Sequence, residues 1–521
     1  MKRLLLVFAF MVAGLQAQMN RPTQHVLAVA DTVVAGFIGS STADIKGQGD
    51  TLWFGTSHGL SVTYDNGQSF VSITPRYSDI GVGSISGLAV SGDTVWVATA
   101  FDSLVAEESL DTGGGISRSF DSGHTWEYLG QPMDSLVYVD GEAQVYSPMV
   151  VFGDTILAVD VVTPINNPSY DLAYDGQRIW TASFAGGLRV SHDFGTTWQR
   201  VLLPWDDQTR LDSLTLLSLA EDIDTDPEYY ALDPVTHLNH RVFSVIAYGD
   251  EVWVGTAGGV NHSNDGGRSW ERFSYTNTNI TGNFVVALHR QQKSTGDIIW
   301  ASTVTTGPFD YTGVSFYDVN AGYWRSAELD TWAYNFGSSD EAIYSATQTG
   351  LYKSRDGRHH SHLPPIQHTD GSEIIFSDRV YSVFVNDDDA VWVGTGDGIA
   401  VSRDDAVTWT ITKARPEQDP DDFFAYPNPF TPRYDKQLLG QGYVLLRFSA
   451  NAGESIDLTI FDFAMEKVRE VVVNEQTPFS GVQERTWNGR NEAGYLVANG
   501  TYFARLTLDD RTLWTKIMVI N

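Results

Sequence analysis

The sequence predicts an all-β chain, a closed ring of repeated antiparallel sheets followed by a small β-sandwich. Three observations carry this. A short apolar strand centred on Trp recurs along most of the chain, each copy is followed by a Gly and an aliphatic residue, and a turn pattern, Ser/Thr-x-Asp-x-Gly-x-x-Trp/Phe, closes many of the units. The clearest unit runs from Tyr248 to Trp270. It reads as strands Glu251 to Thr256 and Gly259 to Ser263, a tight turn at Asn264-Asp265-Gly266-Gly267, and a closing strand from Trp270.

The Trp strand reads LWFGT from Leu52, VWVAT from Val95, IWTAS from Ile179, VWVGT from Val252, IWAST from Ile299, IYSAT from Ile343 and VWVGT from Val391. The Gly-aliphatic marker follows at Gly59, Gly115, Gly187, Gly259, Gly313, Gly350 and Gly398. The turn pattern is intact around Asp65, Asp121, Asp193 and Asp265, carries Ala406 in place of Gly around Asp404, and is eroded at Phe316 to Trp324 and Ser354 to His362. A four-stranded unit of this kind leaves apolar faces that only a neighbouring unit can cover, so units from about Thr42 to Lys413 close into a ring. The β-prone stretch Gln24 to Gly39 is expected to add a strand beside the last unit.

The turn pattern resembles the Asp-box, or BNR repeat, of sialidases, sortilin-like receptors and related exported β-propellers. The seven repeated units give a seven-bladed propeller of four-stranded blades, and the resemblance implies that the boxes lie at the blade periphery, away from any reaction centre. The residue chemistry agrees. The carboxylates of Asp65, Asp121, Asp193, Asp265 and Asp404 suit the amides of their own turns, Gly supplies a positive φ, and the aromatic packs between sheets.

Strand alternation puts the long insertions on one face: Phe101 to Gly114, Met133 to Ser169, Pro204 to His240 and Thr305 to Thr312. Long loops on a rigid scaffold mark a working face. Their acids and aromatics make Trp205, Asp206, Asp207, Tyr229, Tyr230, Phe309 and Tyr311 the candidate ligand-binding residues. Asp222, Asp224 and Asp226 have the alternating oxygen ligands of a calcium loop, although Pro227 stands where that loop needs Gly. No other cofactor is expected. His359, His360 and His362 read as a plain exposed turn rather than a metal site.

The chain has 521 residues, a formal charge of -32 and no cysteine. Carboxylates in such excess repel phosphate backbones and anionic lipid, which makes nucleic acid and membrane surfaces poor partners; no nucleic-acid partner is expected. No run after the N-terminus is apolar enough to span a bilayer. Lys2 and Arg3 precede an apolar run from Leu4 to Ala13, so residues 1–17 read as a signal peptide, giving an exported protein at the outer surface of a bacterium or in its medium.

Residues 18–418 are assigned to the ring, 419–422 to an acidic linker and 423–521 to the sandwich. The last part resembles FlgD-like immunoglobulin domains and the type A sorting domains of type IX secretion. The matching residues are Tyr426-Pro427-Asn428-Pro429-Phe430, the Trp487-Asn488-Gly489-Arg490-Asn491 turn, Gly494, Asn499-Gly500-Thr501-Tyr502-Phe503 and Lys516. The resemblance implies sorting or attachment through export machinery.

Sialidases resemble the chain only in the boxes, since no Arg-Ile-Pro motif is present. No Ser-His-Asp arrangement, phosphate loop or dinucleotide fingerprint stands out. The reading is a non-catalytic binding or scaffold module for a glycan or protein ligand. The alternative is a glycan-active hydrolase or lyase using carboxylates of the loop-rich face.

Overall fold

The computed structural model describes residues 34–39, 41–75, 78–105, 108–136, 138–139, 142–143, 146–215, 232–234, 236–308, 310–370, 373–414, 423–426, 428–432, 442–478, 481–509 and 511–520. Each Trp strand becomes the second strand of an antiparallel sheet. The first sheet uses Thr42–Gln48, Thr51–Thr56, Gly59–Thr63 and Val71–Ile73, and the second Ser84–Ser91, Thr94–Val105, Glu108–Ser119 and Glu127–Gly130. The third to seventh begin at Ser169–Tyr174, Val242–Tyr248, Phe284–Gln291, Ala333–Ser338 and Val380–Val385 and repeat the same up-and-down order.

Hydrophobic clusters fill the seams between successive sheets. Trp53, Leu60 and Val62 of the first sheet pack with Leu88 and Val97 of the second, and equivalent clusters join the following pairs. Trp392, Ile399 and Val401 of the seventh sheet pack with Ile45, Leu52 and Phe54 of the first. The sheets therefore close on themselves as a β-propeller, with the apolar faces of successive sheets packed on one another.

Two expectations are corrected. Val34–Ala35 adds to the outer strand of the first sheet, pairing with Val71 and Ser72, rather than to the last unit. Within the stretch Phe101 to Gly114, residues 101–105 and 108–114 are no loose loop: they continue the Thr94–Val105 and Glu108–Ser119 strands in antiparallel pairing, with Asp102 directly opposite Asp111. The other insertions also carry order: Tyr146–Val151 pairs with Asp154–Val159, Arg210–Leu211 extends the fourth sheet, and Leu232 bridges to Ala158.

The C-terminal part has two sheets facing one core. One contains Phe424–Tyr426, Val444–Ala450 and Gly481–Trp487, and the other Lys467–Gln476, Ser455–Phe461, Gly500–Thr507 and Thr512–Val519. Phe430, Phe448, Ile460, Trp487, Leu506 and Ile517 are buried between them. Trp487 donates its indole N–H to the Arg490 carbonyl at 3.0 Å, which folds the Trp-Asn-Gly turn back on itself. Gly489 lies at φ +66° against Pro432, where a Cβ would come within 2.7 Å.

A buried polar junction ties this part to the propeller. Lys413 Nζ lies 3.1 Å from Asp397 Oδ2 and 3.1 Å from Glu484 Oε2. Tyr426 donates to Glu484 at 2.9 Å, and Arg447 donates to the Ala414 carbonyl at 3.1 Å. Burial opposes the Lys413 charge, yet Asp397 and Glu484 outweigh it and its pKa is raised. No helix among the described residues is long and apolar enough to cross a membrane.

Candidate functional site

The residues singled out from the sequence lie in different settings. Trp205 is buried, 4% exposed, with its ring edge-on to His237 and His240 at 6.2 and 6.1 Å. It is a packing residue of the seam between the third and fourth sheets and offers no open platform. The Asp206 carboxylate accepts the N–H groups of Leu238 and Asn239 at 2.8 and 2.7 Å, capping the short turn at Leu238–His240. Asp207 is exposed, and Tyr311 is 51% exposed. Tyr229, Tyr230, Phe309 and the calcium-loop candidates Asp222, Asp224 and Asp226 lie outside the described residues.

The three histidines of the sixth sheet diverge. His359 meets Asp356 at 2.6 Å, His360 is edge-on to Trp300, and His362 meets the Thr349 carbonyl at 2.9 Å. Burial lowers His360 to about 4.

The five Asp turns share one geometry. In each, the Ser or Thr hydroxyl two residues before the Asp donates to Oδ1 at 2.7 or 2.8 Å. That hydroxyl also accepts the N–H of the Gly, or of Ala406, at 2.7–2.9 Å. Oδ1 takes the N–H four residues on at 2.8 or 2.9 Å. Oδ2 takes that residue's hydroxyl at 2.6 or 2.7 Å. These bonds hold Asp65, Asp193 and Asp404 at about 2. Every carboxylate oxygen is committed to its own turn, so the turns build the fold.

The inner ends of the sheets were not read from the sequence. In each innermost strand the pairing register skips one residue near its start: Ala43, Ser86, Tyr170, Phe243, Val286, Tyr334 and Tyr381. Such bulges re-aim side chains and free backbone groups. Here they set aromatics at one mouth of the central channel, on the face that carries the long insertions. Phe243 lies 5.5 Å from Tyr170, 4.7 Å from Phe284 and 6.2 Å from Phe184, all half-buried. Tyr334 lies 5.4 Å from Tyr381 and 5.0 Å from Trp332.

At five of the seven bulges the next residue is polar, Asp44, Asp171, Ser244, Asn335 and Ser382, and these form a belt below; Gly87 and Ala287 take the other two places. Asp171 accepts the Ser244 hydroxyl and the Val245 N–H of the next sheet, both at 2.9 Å. Ser244 accepts the Leu288 N–H at 3.1 Å, and Asn335 the Val383 N–H at 3.3 Å. Asp44 pairs with Lys46 at 3.3 Å. Removal from water raises Asp171 to about 6 against the pull of Lys46, and raises Asp44 as well. His289 meets the Ser338 hydroxyl at 2.8 Å, but burial and then Lys46 depress it to about 3, which leaves it neutral and a poor base at pH 7. The arrangement offers flat apolar rings above hydrogen-bonding groups, a surface for holding a ligand. One signal for the rim was present in the sequence: the pairs Tyr170-Asp171, Phe243-Ser244, Tyr334-Asn335 and Tyr381-Ser382 each stand nine or ten residues ahead of a Trp strand.

No family model matches the chain, and no curated protein matches it. Solved structures do. PorZ, a surface component of the type-IX secretion system of Porphyromonas gingivalis, is 12% identical with a TM-score of 0.34, over 92% of this chain and 75% of that one. An ancestral GH74 enzyme is 12% identical with a TM-score of 0.48, over 92% of this chain; the chain spans 62% of that enzyme's length. YCF48 from Cyanidioschyzon merolae is 14% identical with a TM-score of 0.38, over 70% and 92%. The activities named for those proteins belong to them.

Proposed function

We propose that the chain is an exported, seven-bladed Asp-box propeller that binds a glycan or protein ligand at the channel mouth without turning it over. A C-terminal immunoglobulin-like domain then serves sorting or attachment at the bacterial surface. The observation that carries this reading is the pair of aromatic groups, Tyr170–Phe243–Phe284 and Trp332–Tyr334–Tyr381, set over a polar belt on the loop-rich face. Half-exposed rings beside hydrogen-bonding groups favour a ligand with one flat apolar face. The belt supports binding over catalysis, because Asp171 is spent on the next sheet's backbone and His289 is held neutral.

The test is binding and turnover by the chain from Gln18 onward on glycan and peptide arrays, with and without calcium. Binding without turnover is expected, weakened about tenfold or more by Phe243→Ala or Tyr334→Ala. Turnover, or the failure of either substitution to weaken the binding of any ligand on the arrays, overturns the reading.

A further inference from the structure

Five seams of the propeller are sealed in one way: a Gly of one sheet's Asp turn lies flat on the Trp of the sheet before it. A Cβ on Gly67 would meet Trp392, one on Gly123 would meet Trp53, and Gly195, Gly267 and Gly357 stand likewise against Trp96, Trp180 and Trp300. The fifth sheet has no such turn. Its third and fourth strands, Gly313–Asp318 and Tyr323–Ser326, are joined by a short turn whose backbone is held by Asp318. Trp253 of the fourth sheet is covered instead by Tyr317 at 5.2 Å and Trp324 at 6.4 Å.

At this seam lie two adjoining hollows of about 450 Å³ each, both bordered by Thr278 and Asn279. Tyr317, Tyr323 and Trp324 wall one, and Tyr275, Tyr311 and Arg325 the other. We propose that the two hollows form one groove that binds a neutral oligosaccharide, a site separate from the channel mouth.

The chemistry of the lining carries the assignment. Sugars present an apolar C–H face that stacks on aromatic rings and hydroxyls that bond amides and phenols. Tyr323 is 46% and Tyr311 51% exposed, and Asn279 is exposed beside both hollows. The segment that presents Asn279 is already fixed. Its carbonyl accepts the Ser326 hydroxyl at 2.9 Å, Thr278 donates to the Ser274 carbonyl at 2.9 Å, and Asn277 donates to the Arg272 carbonyl at 3.1 Å. A groove prepared in this way orders little on binding.

In a chain of charge -32, the lining holds no carboxylate, and its one charged side chain, Arg325, rests over the Tyr323 ring. Glu271, Glu251 and Asp318 stand just outside, close enough to add to the effect of burial on the Tyr317 phenol. That surrounding negative field disfavours an acidic glycan.

The test is titration calorimetry of the chain from Gln18 onward with cellohexaose, maltohexaose, mannohexaose and chitohexaose, and with hexagalacturonate as the acidic comparator. At least one neutral probe is expected to bind. Tyr323→Ala or Tyr311→Ala should weaken it about tenfold, Tyr495→Ala on the exposed surface of the C-terminal part should leave it unchanged, and the acidic probe should bind more weakly. Because Tyr323 and Tyr311 are half-exposed, unchanged thermal melts are expected to confirm that both variants fold. Silence from all four neutral probes, indifference to both tyrosine substitutions, or tighter binding of hexagalacturonate each overturns the proposal. A probe lost with Phe243→Ala but kept with Tyr323→Ala would place binding at the mouth instead.

Discussion

The outer turns and the inner strands of the propeller solve the same problem by different routes. Both contain backbone N–H groups that the ladders leave unpaired, and both satisfy them with a carboxylate or hydroxyl. At the perimeter the acceptor is local: Asp193 takes the Thr197 N–H, four residues away in the same turn. At the channel it is remote: Asp171 takes the Val245 N–H, 74 residues away in the next sheet. A local solution leaves a fixed spacing in the sequence, whereas a remote one leaves only two residues that the fold happens to bring together.

The junction between propeller and C-terminal part is a third, harsher case, because charges rather than dipoles are buried. Lys413 and Asp397 are 5% and 2% exposed. Removing Asp397 leaves Lys413 buried with only the more exposed Glu484 beside it, so Asp397→Ala should cost about 3 kcal/mol, the largest effect expected here. Urea unfolding measures it. With a protease site engineered into residues 419–422, the cut but unmutated halves should co-elute and those of Asp397→Ala should separate. Halves that separate without the mutation would reduce the junction to a weak contact.

Next in size is the perimeter. Gly123 lies at φ +83°, and a Cβ there would come within 2.3 Å of Trp53. Backbone strain and overpacking together predict a loss of about 2 kcal/mol for Gly123→Ala. The seventh sheet shows the permitted exception. Ala406 holds a φ of 69°, and the ring facing it from the sixth sheet is Tyr344 rather than Trp, bonded through its hydroxyl to Asp405 at 2.7 Å. Trp53→Tyr should therefore recover part of the Gly123→Ala loss in a double-mutant cycle. Simple additivity would mean that Tyr344 and Ala406 are unrelated departures from the repeat.

These pairs explain what could be read beforehand. The Trp strands, the five Asp turns and the C-terminal strands were legible, because period-two alternation, Gly placement and turn chemistry are properties of neighbours in sequence. In isolation the Tyr of IYSAT at Ile343 and Ala406 are unrelated departures from the repeat; they make sense only once two sheets face each other. Trp205 misled for the same reason. A Trp beside acids in a long insertion reads as a platform, yet the fold buries it against His237 and His240. The bulges that raise Tyr170 and Phe243 to the mouth depend on pairing register, which no single strand records.

The smallest effect separates the two kinds of carboxylate most cleanly, because their pH dependences have opposite signs. Asp193 is held at about 2 by its turn, below its ordinary value of 3.8. Its contribution to stability is present above pH 3.8 and is lost as pH falls towards 2. Asp171 is raised to about 6 by the water-poor channel wall, above the same 3.8. Its contribution is full below pH 3.8 and is lost as pH rises through 6, because the folded state then has to hold a charge it disfavours. Asn keeps an acceptor for the Val245 and Thr197 N–H groups but does not titrate. In urea midpoints measured from pH 2.5 to 7, Asp171→Asn should therefore flatten only the decline between about 4 and 6. Asp193→Asn should flatten only the acid limb. If both substitutions moved the same limb, the inner and outer carboxylates would share one environment, and the contrast between local and remote capping would fail.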